Sequence, residues 1–289
     1  MRLCLSILFT LLSSCVFAQE RWAIVVGISD YPCESGWDDI NGANDVSIIK
    51  PMLLNNGFQE QNIIVLTDAQ ATKSRIKAAF DDVAKRVSVG DTFYFHFSGH
   101  GQQVADVSGD EGVDPYDEAL VAYDALRYGY KNYKGEYHII DDELNAWLWN
   151  VRDGIGDKGK ILVVLDTCFS CDGSRGDDEE YVRGATDKLM VSTKTVNHLQ
   201  STKNQLPINW VCISACDDTS KANYEYKVGD LYYGRLSYLL SRLQSMELSL
   251  PELQVLLEEG YKRINLETKL KQNLHIDLPN NNEDILYVL

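Results

Sequence analysis

Two residues in this sequence have both the type and the placement for covalent chemistry at a carbonyl. Cys168 stands in Asp166-Thr167-Cys168-Phe169-Ser170, and His100 in Phe97-Ser98-Gly99-His100-Gly101. A thiol near its ordinary pKa is mostly protonated at neutral pH. A nearby imidazole can draw off that proton and later return it to a leaving amine. Gly99 and Gly101 let the backbone turn sharply beside the histidine and let a carbonyl approach closely. The amides of Gly101 and Cys168 can then point at a developing oxyanion. Taken singly, each residue has a plainer reading: His100 as a turn residue at a strand end, Cys168 as a small buried hydrophobe.

The elements around them argue against both plain readings. Thr92 to Ser98 and Lys160 to Asp166 read as strands that end immediately before His100 and Cys168. Trp22 to Ile28, Asn62 to Thr67 and Ile208 to Ser214 read as further strands, fully apolar in the manner of strands buried on both faces. Helices are expected at Asn44 to Leu54 (N-cap Asn44 or Asp45), Thr72 to Val87, Asp142 to Asn150, Tyr233 to Gln244 and Leu250 to Ile264. A last strand is expected at Asp284 to Leu289. Alternating strands and helices predict an α/β fold with a mostly parallel sheet covered on both faces. Ligands of such sheets bind beyond the carboxyl ends of the strands, so the thiol and the imidazole emerge at one edge. Two long polar segments, Gly99 to Asp117 and Cys171 to Leu206, read as functional or disordered loops.

Residues 1–18 read as a signal peptide: Arg2, an apolar run from Leu3 to Val16, and Val16-Phe17-Ala18 before Gln19. The expected location is therefore secreted or periplasmic. Leu12-Ser13-Ser14-Cys15 competes as a lipoprotein box, which would put a lipid at Cys15 and the protein on a membrane. Residues 19–289 are expected to form one domain, and a monomer. The 27 basic and 43 acidic residues give a formal charge of −16, which argues against a nucleic-acid groove and weakly favours basic substrates or bound cations. Removing the signal leaves Cys33, Cys168, Cys171, Cys212 and Cys216. That number is odd, so at least one thiol stays free.

The segments Phe95 to Gly101 and Asp166 to Ser170 resemble the two signature segments of metacaspases and their bacterial caspase-like relatives. The likeness continues through Val25 to Ile28, Asn41 to Val46, Asp117 to Leu120, Ile140 to Leu144 and Ser214 to Cys216. It implies a caspase-like three-layer sandwich with a sheet of about six strands. It also implies a cysteine endopeptidase that cuts after Arg or Lys, with Cys168 as nucleophile and His100 as acid and base. By the same resemblance Asp45, Asp166 and Ser98 match positions that line the S1 pocket. Two carboxylates there would clamp a guanidinium and repel an acidic side chain. The chemistry needs no cofactor. Calcium is a candidate activator, because Asp141 and Asp142 match acidic positions that bind it in part of the family, and Asp106, Asp110, Glu111 and Asp114 could add oxygens. Asp141 could equally cap the following helix.

Three departures stand out. Position 169 is usually histidine and is Phe here, position 171 is usually glycine and is Cys here, and the Asn41 to Val46 segment is one residue short. Cys168 to Cys171 is formally a C-x-x-C, which keeps a thiol–disulfide oxidoreductase as the rival reading. An inactive binding protein on the same fold is the other rival, although both catalytic residue types are present. Arg175, Arg183 and Lys188, in the polar segment after Cys168, are candidate self-cleavage points; an ordinary solvated loop is the alternative.

Overall fold

A computed structural model describes residues 19–105, 116–127, 133–169, 181–185, 209–217, 220, 222–245 and 248–278. In chain order the elements are β1 (Arg21–Gly27), α1 (Gly42–Asn55), β2 (Ile63–Thr67), α2 (Lys73–Arg86), β3 (Thr92–Ser98), β4 (Gly101–Ala105), β5 (Tyr116–Val121), β6 (His138–Ile140) and α3 (Asp141–Ile155). They continue with β7 (Lys160–Asp166), β8 (Val182–Arg183), β9 (Val211–Ser214), β10 (Asn223–Val228), β11 (Leu231–Gly234), α4 (Arg235–Ser241), α5 (Leu250–Thr268) and β12 (His275–Asp277).

A six-stranded sheet runs in the order β12-β9-β7-β3-β1-β2, parallel except for β12, which pairs antiparallel with β9. Side chains of a strand alternate between faces, and that period of two divides the core. Phe93, Phe95 and Phe97 of β3 pack with Phe80 of α2 and Trp147 of α3 on one face. Tyr94, with Ala23, Leu162 and Val164, packs under α1, α4 and α5 on the other. Each such side chain contributes about 1.5–3 kcal/mol when fully buried, so the alternation fixes the register firmly. It also dictates where polar groups go. His96 and Ser98 share the Tyr94 side of β3, and Asp166 shares the Leu162 and Val164 side of β7. The register sets Ser98 opposite Asp166. The α1/α4 face therefore ends, at the carboxyl edge of the sheet, in a buried polar patch.

Close backbone approach completes that edge. A Cβ on Gly42 would lie 2.4 Å from Ser98 O, and one on Gly27 would lie 2.5 Å from Gly42 O, so only glycine lets α1 sit so low over the strand ends.

Several expectations need correction. α1 begins at Gly42 after Asn41, so neither Asn44 nor Asp45 is the N-cap. Ser29 Oγ accepts the Ala43 N–H at 2.8 Å and does that work from a distant residue. Asp141 is the first residue of α3, with Ile140 at the cap position. The Gly99–Asp117 stretch contributes β4, which pairs antiparallel with β5. The fifth strand starts at Val211, and the helix expected from Tyr233 starts at Arg235 because Tyr233 and Gly234 finish β11. The sixth strand of the sheet is β12. The signal segment 1–18, Cys171, Asp106, Asp110, Glu111, Asp114, Arg175, Lys188 and the stretch 284–289 lie outside the described residues.

Candidate active site

β3 and β7 are neighbours, so the turns that follow them meet. A Cβ on Gly101 would lie 2.7 Å from both Cys168 O and Thr167 Oγ1, which puts the residue after His100 against the residues around the thiol. Cys168 is 3 % exposed, and Cys33 and Cys212 are free thiols.

His100 is held on every side. Its N–H donates to Tyr31 Oη at 3.1 Å, and that hydroxyl in turn donates to Val121 O at 3.1 Å. The Trp37 ring stacks on the imidazole, with centroids 4.9 Å apart. Nε2 lies 2.8 Å from the carbonyl oxygen of Asp38. A carbonyl only accepts, so Nε2 carries the hydrogen and Nδ1 presents a lone pair. Burial pushes the imidazole pKa down to about 4, leaving it neutral at physiological pH. Nδ1 accepts the Gly184 N–H at 2.9 Å.

Gly184 follows Arg183, whose side chain, like that of Arg235, is 0 % exposed. The plainer alternative for this position, an ordinary solvated loop, does not hold for Arg183. Its Nη1 lies 2.7 Å from Asp45 Oδ2 and 3.4 Å from Asp166 Oδ1. Its Nε donates to Glu225 Oε1 at 3.0 Å, and Nη2 is 3.0 Å from the same oxygen. Burial alone would lower a guanidinium pKa; three carboxylates outweigh it and raise it. The flanking backbone joins β8 antiparallel to β10, pairing Arg183 with Asn223 and Val182 with Tyr224. The Glu225 N–H donates to Tyr181 O at 3.0 Å, extending the ladder.

The carboxylates are themselves held by a hydroxyl network. Ser98 Oγ donates to Asp45 at 2.7 Å, and the Gly234 N–H donates to the other Asp45 oxygen at 3.0 Å. Asp166 accepts from Ser237 N–H at 2.8 Å, Ser237 Oγ at 2.6 Å and Asn223 Nδ2 at 2.9 Å. Burial raises Asp45 to about 6 in spite of Arg183. Burial acts the same way on Asp166, but Arg183, Asn223 and Ser237 outweigh it and hold that carboxyl below its usual range. Behind them, His96 Nε2 lies 3.1 Å from Ser98 Oγ and 3.0 Å from Ser237 Oγ. Both hydroxyl hydrogens are committed to carboxylates, so His96 donates from Nε2, and Nδ1 accepts from Tyr94 Oη at 2.9 Å.

The structure thus gathers His100, Gly101 and Cys168 at one edge, and Asp45, Ser98 and Asp166 around a single guanidinium. Sequence reasoning did not single out Glu225, Gly234, Ser237, Asn223 or the Asp38 carbonyl. None of these carried a signal in the sequence: Asn223 and Glu225 are polar, and only the structure shows them buried on one side of β10. Asp141 and Asp142 stand apart at the start of α3. Asp141 Oδ1 is buried without a hydrogen-bond partner, and burial, with Asp117 and Asp142 nearby, raises its pKa to about 8. Among the described residues no three such side chains converge as a metal site.

This sheet order and its flanking helices define a caspase-like fold. It superposes on a structural-genomics protein from Geobacter sulfurreducens at TM-score 0.62, with 20 % identity over 93 % of this chain and 97 % of that one. It superposes on pro-sf-caspase-1 at TM-score 0.51, with 13 % identity over 90 % and 91 %. The metacaspase, peptidase C14 domain profile matches residues 21–174, and the chain belongs to that family. It is 32 % identical to Metacaspase-1A of Aspergillus oryzae over 159 residues, 52 % of this chain and 34 % of that protein. It is 31 % identical to Metacaspase-1 of Sclerotinia sclerotiorum over 160 residues, 52 % and 33 %. The matched stretch spans about a third of the length of these curated relatives.

Proposed function

We propose that this protein is a cysteine endopeptidase that cuts after basic residues and whose own Tyr181–Ala185 segment sits in the groove as its first substrate. One observation carries the reading: Arg183 fills an acidic pocket while the next amide N–H points at His100 Nδ1. In the proposed reaction the Gly184 N–H releases His100 Nδ1, the Cys168 thiol gives its proton to that lone pair, and the sulfur attacks the Arg183 carbonyl carbon. The amides of Gly101 and Cys168 face the oxyanion. The C–N bond breaks as His100 passes the proton to Gly184 N, already within hydrogen-bond distance, and water then hydrolyses the thioester. No cofactor takes part. Arg183 replaces Arg175 and Lys188 as the favoured self-cleavage point. Uncut, the segment blocks the groove.

The test is a panel of matched fluorogenic peptides ending in Arg, Lys or Asp, under reducing conditions, with Cys168→Ala alongside. Cleavage after the basic residues, lost in the variant, is the expected result; cleavage only after Asp overturns the pocket assignment. Because the Asp45 pKa is raised to about 6, the carboxylate that holds a guanidinium is lost as pH falls through that value. Activity toward Arg is therefore expected to be full above about pH 7 and to decline below 6. A profile flat from pH 7 to 5 contradicts this role for Asp45. Calcium belongs to the same proposal: Asp141, with a buried oxygen lacking a partner, and Asp142 would hold it. The same assay with chelator and with added calcium decides it. Export rests on residues 1–18, and a mature N-terminus at Gln19 rather than a lipidated Cys15 is the expected mass.

A further inference from the structure

The pocket sets three carboxylates, Asp45, Asp166 and Glu225, around one positive charge. Glu225 enters from β10, with its side chain fully buried. It faces Nε and Nη2 of Arg183, not Nη1, which Asp45 and Asp166 already take. Its carboxylate is fixed from behind: Oε1 accepts the Asn41 N–H at 2.8 Å and Oε2 accepts Asn41 Nδ2 at 2.6 Å. Those bonds tie it to the start of α1, the helix that carries Asp45.

We infer that Glu225 makes this pocket prefer arginine over lysine, an inference that rests on the reading of a basic P1 site. A lysine chain places a methylene where arginine has Nε, and its ammonium where arginine has Cζ. Facing a lysine, Glu225 loses its Nε–H donor and meets a methylene. The ammonium, one bond short of the Nη1 position, is also drawn away from Asp45. A buried carboxylate left with an apolar neighbour costs more than the missing bond alone. Asp45 and Asp166 answer to charge at the pocket floor, while Glu225 answers to the shape of the guanidinium.

The experiment compares kcat/KM for Arg and Lys peptides, identical elsewhere, with the wild-type protein, Glu225→Gln and Glu225→Asp. The wild type is expected to favour Arg by about tenfold or more. Glu225→Gln keeps the size but has one acceptor oxygen in place of two, so it loses one of the Asn41 bonds as well as the charge. It is expected to lower Arg cleavage about 10- to 100-fold, the range of one charged hydrogen bond. Lys cleavage should change much less, so the ratio falls toward one. Glu225→Asp, one methylene shorter, should give an intermediate ratio, and it carries the test if the glutamine variant does not fold. A ratio unchanged in both variants, or an equal loss on both peptides, overturns this role for Glu225 while leaving the basic pocket standing. A wild type that cuts neither peptide overturns the basic-P1 reading itself, and this inference with it.

Discussion

Replacing Arg183 by methionine in a Cys168→Ala chain is expected to lower folding stability by about 3–5 kcal/mol relative to Cys168→Ala alone. The background mutation keeps the chain uncut, so the comparison reads the pocket and not proteolysis. Methionine matches the length of the arginine stem but leaves Asp45, Asp166 and Glu225 without their shared cation. Removing one partner of a buried ion cluster is costly because the remaining charges stay desolvated; replacing the whole cluster by apolar groups need not be. The deficit also has a pH sign. A carboxyl whose pKa rises above its unfolded value contributes stability at low pH that is lost as pH rises. For Asp45, already moved from 3.8 to about 6 with Arg183 present, the deficit should be smallest near pH 4 and grow through pH 6 and above. Urea melts at pH 4.5 and 7.5 would measure it, and equal midpoints for the two chains at pH 7.5 contradict a buried Arg183.

The second large effect is on catalysis. Gly234→Ala is expected to cut kcat/KM for Arg peptides by about a hundred- to a thousandfold, the equivalent of losing the buried ion pairs. A Cβ there would lie 2.1 Å from Asp166 Oδ2 and 2.4 Å from Arg183 Nη1, inside the space the guanidinium needs. Gly234 has φ −62° and ψ 140°, which alanine adopts without strain, so the loss would come from the pocket and not from the backbone. Its N–H to Asp45 would also survive. An alanine variant that cuts Arg peptides at the wild-type rate would show that the guanidinium binds elsewhere.

The sheet was legible because its strands are continuous apolar runs whose period and length leave little choice, as in Thr92 to Ser98 and Lys160 to Asp166. His100 and Cys168 were legible for the same reason, since both fall where those runs stop. The small antiparallel strands were not: β8 is two residues long, and β4 and β10 mix polar and apolar residues that alone read as loop. Arg183 was the hardest. Among acidic neighbours in a polar stretch it has the signature of a solvated residue, and only the topology brings Asp45, Asp166 and Glu225 together around it. A charge is buried by partners far away in sequence, and no local pattern records that. Asp45 shows the converse. Its place near a helix start suggested a cap, yet Ser29 satisfies the first turn and leaves its carboxylate to the pocket.

The most direct test of the central claim, that the groove holds its own substrate strand, is the intact mass of the protein after incubation under reducing conditions, with and without calcium. One break is expected, giving a fragment that ends at Arg183 and one that begins at Gly184. The break should be absent in Cys168→Ala and in Arg183→Gln. A chain that stays whole while it hydrolyses Arg peptides, or that breaks only elsewhere, would contradict it.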